Sequence, residues 1–139
     1  MEPSAPLVPH RAPMLLIGSV LCAGAEHCTT LTRVDPAAWY ADQGGAMPAW
    51  FGLELMAQTV AAHSGGQRQG PAAGFGYLLG TREYRSSVAS FPAGDLLEVS
   101  VRLVYADPMG LRAFDCELRR EGALLASATL KVIEERSRP

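Results

Sequence analysis

The sequence predicts an α+β domain in which an antiparallel sheet wraps around one long, buried helix. Three observations carry this. Ala49–Ser64 is apolar nearly all round, so it must be covered on most sides rather than lie on a surface. Leu97, Val99, Val101 and Leu103 alternate with Glu98, Ser100 and Arg102, the period-two pattern of a strand with one buried and one wet face. The element order is two strands, one helix, then four strands, with no internal repeat, and wrapping the sheet on the helix is the economical arrangement.

Residues 1–13 are Pro-rich and read as extended, with 1–8 expected to be flexible. Met14–Ala23 is the first predicted strand and Glu26–Val34 the second, with Gly24 marking the turn between them. The run Met14–Cys22 ends in Ser-Val-Leu-Cys, as a lipoprotein signal can. It is short, however, it follows Glu2 and several prolines rather than a basic segment, and Leu21 is large for a cleavage site, so an internal strand is favoured. Asp35–Met47, with Pro36, Gly44 and Gly45, reads as a loop. Pro48 stands where a helix can begin, and Gly65-Gly66 where one can end. After a polar loop at Gln67–Gly74, strands are predicted at Phe75–Val88, Asp95–Tyr105, Leu111–Glu121 and Ala123–Glu134. Pro108-Met109-Gly110 and Glu121-Gly122 supply hairpin turns, and 135–139 forms a tail.

Composition narrows the function. The 139 residues suit a single domain, and 48% hydrophobic against 19% charged excludes a disordered chain. A net charge of −2 lacks the concentrated basic footprint that nucleic acid requires. No segment approaches the ~20 apolar residues of a membrane-spanning helix. Cys22, Cys28 and Cys116 are odd in number and lack CxxC spacing, so they read as small buried hydrophobes in a reducing, cytoplasmic setting. His10, His27 and His63 share no metal-ligand spacing, and neither a metal nor any other cofactor is expected.

Glu54 is the residue that calls for an explanation. An ionised carboxylate in so apolar a helix costs several kcal/mol, on the order of a lost buried ion pair, unless it is paired or hydrogen-bonded. Gln58 projects from the same face one turn later. Either Glu54 is structural, held by an arginine such as Arg82 or Arg85, or it is a general acid or nucleophile tuned by burial. His63 falls on the opposite side of the helix and is expected near its C-terminus for dipole reasons. His27 sits in an ordinary strand, and His10 lies between two prolines.

These residues resemble a family. Pro9-His10-Arg11-Ala12-Pro13-Met14-Leu15-Leu16-Ile17 is similar to the Pro-His-Arg-x-Pro opening of the FabZ-type 3-hydroxyacyl-acyl-carrier-protein dehydratases. Met47-Pro48 followed by Glu54-Leu55-Met56-Ala57-Gln58 resembles their Met-Pro-Gly…Glu-Ala-Met-Ala-Gln helix at the same spacing. Leu79-Gly80, Arg85 and Phe91-Pro92-Ala93-Gly94-Asp95 resemble the segment that follows. The resemblance covers roughly residues 8–133. It implies a dimeric hot-dog fold and a role in fatty-acid or polyene-type biosynthesis. It assigns Glu54 a catalytic role, places Gln58, Met47, Ala49, Trp50 and Gly80 at the substrate, and makes Arg82 and Arg85 candidates for an acidic acyl carrier protein, with Arg119 and Arg120 beside them.

One departure sharpens the expectation. The family's catalytic His, in Gly-His-Phe-Pro, stands fourteen residues before the helix Glu, where this chain has Tyr40. Dehydrating a 3-hydroxyacyl thioester needs a base for the α-proton and an acid for the leaving hydroxyl, and tyrosine, which titrates near ~10, is a poor base at neutral pH. His10 and Tyr40 are the candidates for replacing the imidazole from within the chain. This variant pattern is similar to the ApeP-type hot-dog proteins of aryl-polyene clusters, which accompany a second FabZ-like subunit. Three readings follow: half of a composite dehydratase site completed by a His-bearing hot-dog partner; a thioesterase on acyl-carrier-protein or CoA thioesters, using Glu54 with an N–H from Ala49 or Trp50; or a non-catalytic acyl-binding subunit, as homodimer or heterodimer.

Overall fold

In the computed structural model, which describes residues 2–3, 16–67 and 76–134, strand-forming segments outnumber helices nine to one. The strands are β1 (Glu2–Pro3), β2 (Ser19–Ala23), β3 (His27–Arg33), β4 (Met47–Pro48), β5 (Gly76–Ser86), β6 (Ser90–Phe91), β7 (Leu96–Ala106), β8 (Leu111–Arg120) and β9 (Ala123–Glu134). Helix α1 spans Phe51–Gln67 between β4 and β5. Seven strands form one antiparallel sheet in the order β1-β2-β3-β7-β8-β9-β5, while β4 and β6 pair separately.

Alternation decides which sheet face meets the helix. Cys28, Thr30 and Thr32 of β3, Leu97, Val99 and Val101 of β7, Phe114, Cys116 and Leu118 of β8, and Ala126, Ala128 and Leu130 of β9 are all buried. They receive Leu55, Met56, Val60 and Ala62 from α1. Two polar residues enter this core in satisfied form. Thr59 donates its hydroxyl to the Leu55 carbonyl at 2.8 Å, so the Thr30 hydroxyl, 2.8 Å from Thr59 Oγ1, is the donor of that second bond. From Phe51 to His63, α1 leaves Phe51, Leu53, Glu54, Ala57 and Ala61 half-buried, a face continued by the exposed Trp50.

Boundaries differ from the sequence expectation in instructive places. Gly65 and Gly66 do not end the helix, which runs to Gln67. Glycine weakens a helix by about 1 kcal/mol but stops it only where the backbone turns left-handed. The helix starts at Phe51, later than Ala49, whose N–H donates to the Ala89 carbonyl at 2.9 Å. β6 was not foreseen: two residues paired to Met47-Pro48 carry no periodicity to read. The strand predicted from Met14 is β2, which begins at Ser19, with Leu16–Gly18 outside it. Hairpins form where expected. Glu121 and Gly122, both at positive φ (49° and 82°), turn β8 into β9. At the other end, Asp107 Oδ1 accepts the N–H groups of Met109 and Leu111.

His63 is a correction. It is fully buried rather than displayed at the helix end, with Nε2 3.0 Å from the Ala25 carbonyl and its ring edge-on to Phe114.

Candidate functional site

Glu54 lies in the first turn of α1, where the helix's unpaired N–H groups favour a carboxylate. It opens into a cleft of about 280 Å³ lined by Leu16, Trp39, Trp50, Phe51, Leu53, Glu54 and Ala57. Among the described residues its lining is apolar apart from one carboxylate. Its walls are an aromatic cluster: the Trp39 ring stands edge-on to Phe51 at 5.5 Å, Trp50 lies 5.8 Å from Phe51, and Tyr40 5.9 Å from Phe51. Trp39 and Trp50 are 52% and 69% exposed, so both tryptophans of the chain stand at the mouth of this cleft without being covered by it.

Behind the carboxylate is Gln58, fully buried. Its Nε2 donates to Glu54 Oε1 at 3.0 Å, and its Oε1 accepts the backbone N–H groups of Leu16 at 2.7 Å and Ile17 at 3.2 Å. The expected i, i+4 pair is therefore present, with its polar atoms turned to the protein.

Other expected site residues fall elsewhere. Met47 is fully buried in the core beside Phe91, its partner in β6. Ala49 is buried, with its N–H used by Ala89 and its carbonyl accepting both the Gly52 N–H and the Tyr84 hydroxyl. A thioesterase donor drawn from Ala49 is thus already spent. Gly80 lies in β5 in register with Lys131, away from the cleft lining. Tyr40 is buried, and its hydroxyl accepts the Asp35 N–H at 2.9 Å, closing the loop before the helix rather than facing Glu54. His10 lies outside the described residues.

Arg85 is on the far face of the sheet. A register-matched row of Thr29, Ser100, Glu117, Ser127 and Arg85 crosses that face. With His27, Arg102, Asp115 and Thr129 it lines a concavity of about 610 Å³ that also includes Val101, Cys116 and Ala128. Arg85 pairs there with Glu83 at 3.6 Å, both well exposed, so it is not the structural partner of Glu54. Arg82 occupies the same strand, in register with Thr129. Arg119 bonds Glu117 at 3.1 Å and Arg120 bonds Asp95 at 2.7 Å, so both guanidinium groups are engaged within the chain. His27 belongs to this outer face, and His63 to the core. Neither imidazole lines the Glu54 cleft.

Trp39, Phe51 and Leu53 are cleft residues outside the quoted motifs, and Leu16 and Ala57 lie within those motifs with no role assigned to them. One signal was available: aromatic residues are 7% of the chain, yet Trp39, Tyr40, Trp50 and Phe51 fall within one short span around the helix start. Among the described residues no cluster of His, Cys, Asp and Glu could hold a metal ion, and no helix is long and apolar enough to cross a membrane.

A family model described as ApeP-like, ApeP dehydratase, matches residues 2–138. Among solved structures, the dehydratase heterocomplex ApeI:P from Xenorhabdus doucetiae is similar at a TM-score of 0.89 and 28% identity, covering 98% of this chain and 93% of that one. A Streptococcus mutans UA159 protein bound to acetyl-CoA matches at TM-score 0.71 and 15% identity, over 94% and 97% of the two chains. A hypothetical thioesterase with coenzyme A from Streptococcus pneumoniae TIGR4 matches at 0.69 and 13%, over 87% and 88%. The last two likenesses are likenesses of fold. Comparison with curated proteins returns no match.

Proposed function

This chain belongs to the ApeP-like dehydratase family and has the hot-dog fold, and from that premise we propose that it contributes Glu54 as the general acid of a composite site dehydrating 3-hydroxyacyl thioesters. The base, an imidazole, comes from a second hot-dog subunit. The observation that carries the reading is the cleft itself: one carboxylate at the start of a helix, apolar walls, and no imidazole among the described residues that line it.

The chemistry requires both groups. A base takes the proton α to the thioester carbonyl as the acid protonates the β-hydroxyl, which leaves as water and yields the 2-enoyl thioester. Glu54 can deliver a proton; Tyr40, at the position of the family's histidine, spends its hydroxyl on the Asp35 N–H. The half-buried stripe Leu53, Glu54, Ala57 and Ala61, with the exposed Trp50, is the helix face that a second subunit would cover. The similarity to one subunit of a dehydratase heterocomplex supports a heterodimeric arrangement. An acyl carrier protein or CoA presents the thioester, with Arg82 and Arg85 as the proposed contacts for an acidic carrier.

The test is an assay of 3-hydroxyacyl and 2-enoyl carrier-protein thioesters with this chain alone, with a His-bearing hot-dog partner alone, and with the two mixed. Dehydration in the mixture only, abolished by Glu54→Gln, is the expected result. Thioester hydrolysis by this chain alone overturns it, as does full activity of the Glu54→Gln mixture.

A further inference from the structure

We propose that Tyr84 is a positioning residue: its hydroxyl holds the entry of α1, and with it the Glu54 carboxyl and the cleft walls, where dehydration requires them. The proposal rests on the reading of Glu54 as the acid. It goes beyond that reading by giving a role to a side chain on β5, outside the cleft lining.

One stretch of chain, residues 84–91, grips the residues that lead into the helix. The Ala49 N–H donates to the Ala89 carbonyl at 2.9 Å, and the Ala49 carbonyl accepts the Tyr84 hydroxyl. Met47 and Pro48 pair with Phe91 and Ser90 as β4 and β6. Of these bonds only the one from Tyr84 comes from a side chain, so it is the one that a substitution can remove. Burial raises the Tyr84 hydroxyl from its ordinary value of 10.0, so it stays protonated and remains the donor at neutral pH.

An extra residue in β5 brings Tyr84 to this place. Between two paired positions β9 advances two residues, Thr129 to Ser127, while β5 advances three, Arg82 to Arg85. The surplus is taken up beside Glu83, whose φ of 52° is left-handed. Arg85 stays on the outer face of the sheet and Tyr84 turns to the helix. Gly52 leaves the space, since a Cβ there would collide with the Tyr84 hydroxyl.

The part of α1 that is gripped is the part that forms the site. Trp50, Phe51, Leu53 and Glu54 all line the cleft, and all follow closely on Ala49. A helix is stiff and rises about 1.5 Å per residue, so Glu54 stands roughly 7.5 Å along from Ala49 and moves when the entry moves. A misplacement of about 1 Å at a reacting group costs up to about 10²-fold in rate. Without the Tyr84 hydroxyl a gap opens beside Gly52, and the Ala49 carbonyl keeps only the Gly52 N–H.

Tyr84→Phe keeps the ring and removes the donor. In the two-subunit enzyme it is expected to lower kcat by about 10-fold with KM changed less than about threefold, misplacing the acid without altering binding. Thr30→Val removes a buried hydroxyl bond outside the 84–91 grip and serves as the control for lost stability. It should leave kcat within about twofold. A native kcat for Tyr84→Phe, or an equal fall in both variants, overturns the proposal. A second measurement does not depend on activity. The Gly52 and Leu53 amide protons are bonded to the Ala49 and Trp50 carbonyls. Relative to the amides of β8, they should exchange with solvent about tenfold faster in Tyr84→Phe and at an unchanged ratio in Thr30→Val. An unchanged ratio in Tyr84→Phe also overturns the proposal. Failure of the unsubstituted pair to dehydrate would bring down the composite-site reading, while the exchange result still decides whether Tyr84 holds the helix entry.

Discussion

The Tyr84 hydroxyl donates to the Ala49 carbonyl, and this contact ties an edge strand of the sheet to the start of the only helix among the described residues. A break in register between Arg82 and Arg85, with Glu83 at φ 52°, is what turns Tyr84 toward the helix. Gly52 completes the arrangement, since a Cβ there would collide with the Tyr84 hydroxyl. Tyr84→Phe is expected to cost about 1 kcal/mol, the usual net value of one such bond. Gly52→Ala should cost about 1–3 kcal/mol by overpacking. Denaturant unfolding of each variant checks both, and combining Gly52→Ala with Tyr84→Phe should recover part of the loss.

Thr59 and Thr30 form a hydroxyl relay ending on the Leu55 carbonyl. Thr59→Val strands the buried Thr30 hydroxyl and should destabilise the chain by about 1–3 kcal/mol. Removing both hydroxyls in a Thr30→Val, Thr59→Val pair should cost less than the sum of the single changes. A double-mutant cycle measures the difference, and strict additivity would show that the relay does not exist.

Burial first, and the neighbouring Asp115 charge second, push the Cys116 thiol up to about 12 from its ordinary value of 9.0. The folded chain therefore keeps this proton where the unfolded chain has lost it. Cys116 contributes no pH dependence below about pH 9, and stability falls between there and pH 12. Burial raises Tyr84 in the same direction. Cys116→Val should flatten the alkaline decline by up to about 1.4 kcal/mol per pH unit. Unfolding midpoints measured from pH 8 to 11 are the check, and identical slopes would refute it.

Ala57 lies on the half-buried stripe of α1 next to Glu54. Ala57→Arg, at a half-buried position, should cost about 0.5–3 kcal/mol of stability and leave the chain folded, while abolishing assembly with the proposed His-bearing subunit. Size-exclusion chromatography of the mixture reads this directly. Intact assembly would move the proposed interface off this stripe.

How much of this was legible beforehand depends on whether the signal is local. β7 and β9 were, because alternation and hairpin turns are written within a few residues; β9 matches its predicted bounds. Glu54 was, because a carboxylate in an apolar helix stands out, and Gln58 because i+4 follows from helical geometry alone. Tyr84, Trp39 and Leu16 were not, since each reaches its place through a bulge, a loop or a long-range contact with the helix. The glycines at 65 and 66 misled because composition shows where a helix is weak, not where packing lets it continue.

The Gln58 amide joins positions separated by four residues on one side and by 42 and 41 on the other. The β8–β9 pairing, by contrast, needs only a two-residue turn. Long loops close late and hairpins early, so a refolding chain should form the β8–β9 hairpin before Gln58 reaches the Leu16 backbone. Newly made chains would pass through a stage that has the hairpin yet lacks the contact joining α1 to the Leu16 backbone. A formed Glu54 cleft is then a measure of completed chain closure rather than of hairpin content.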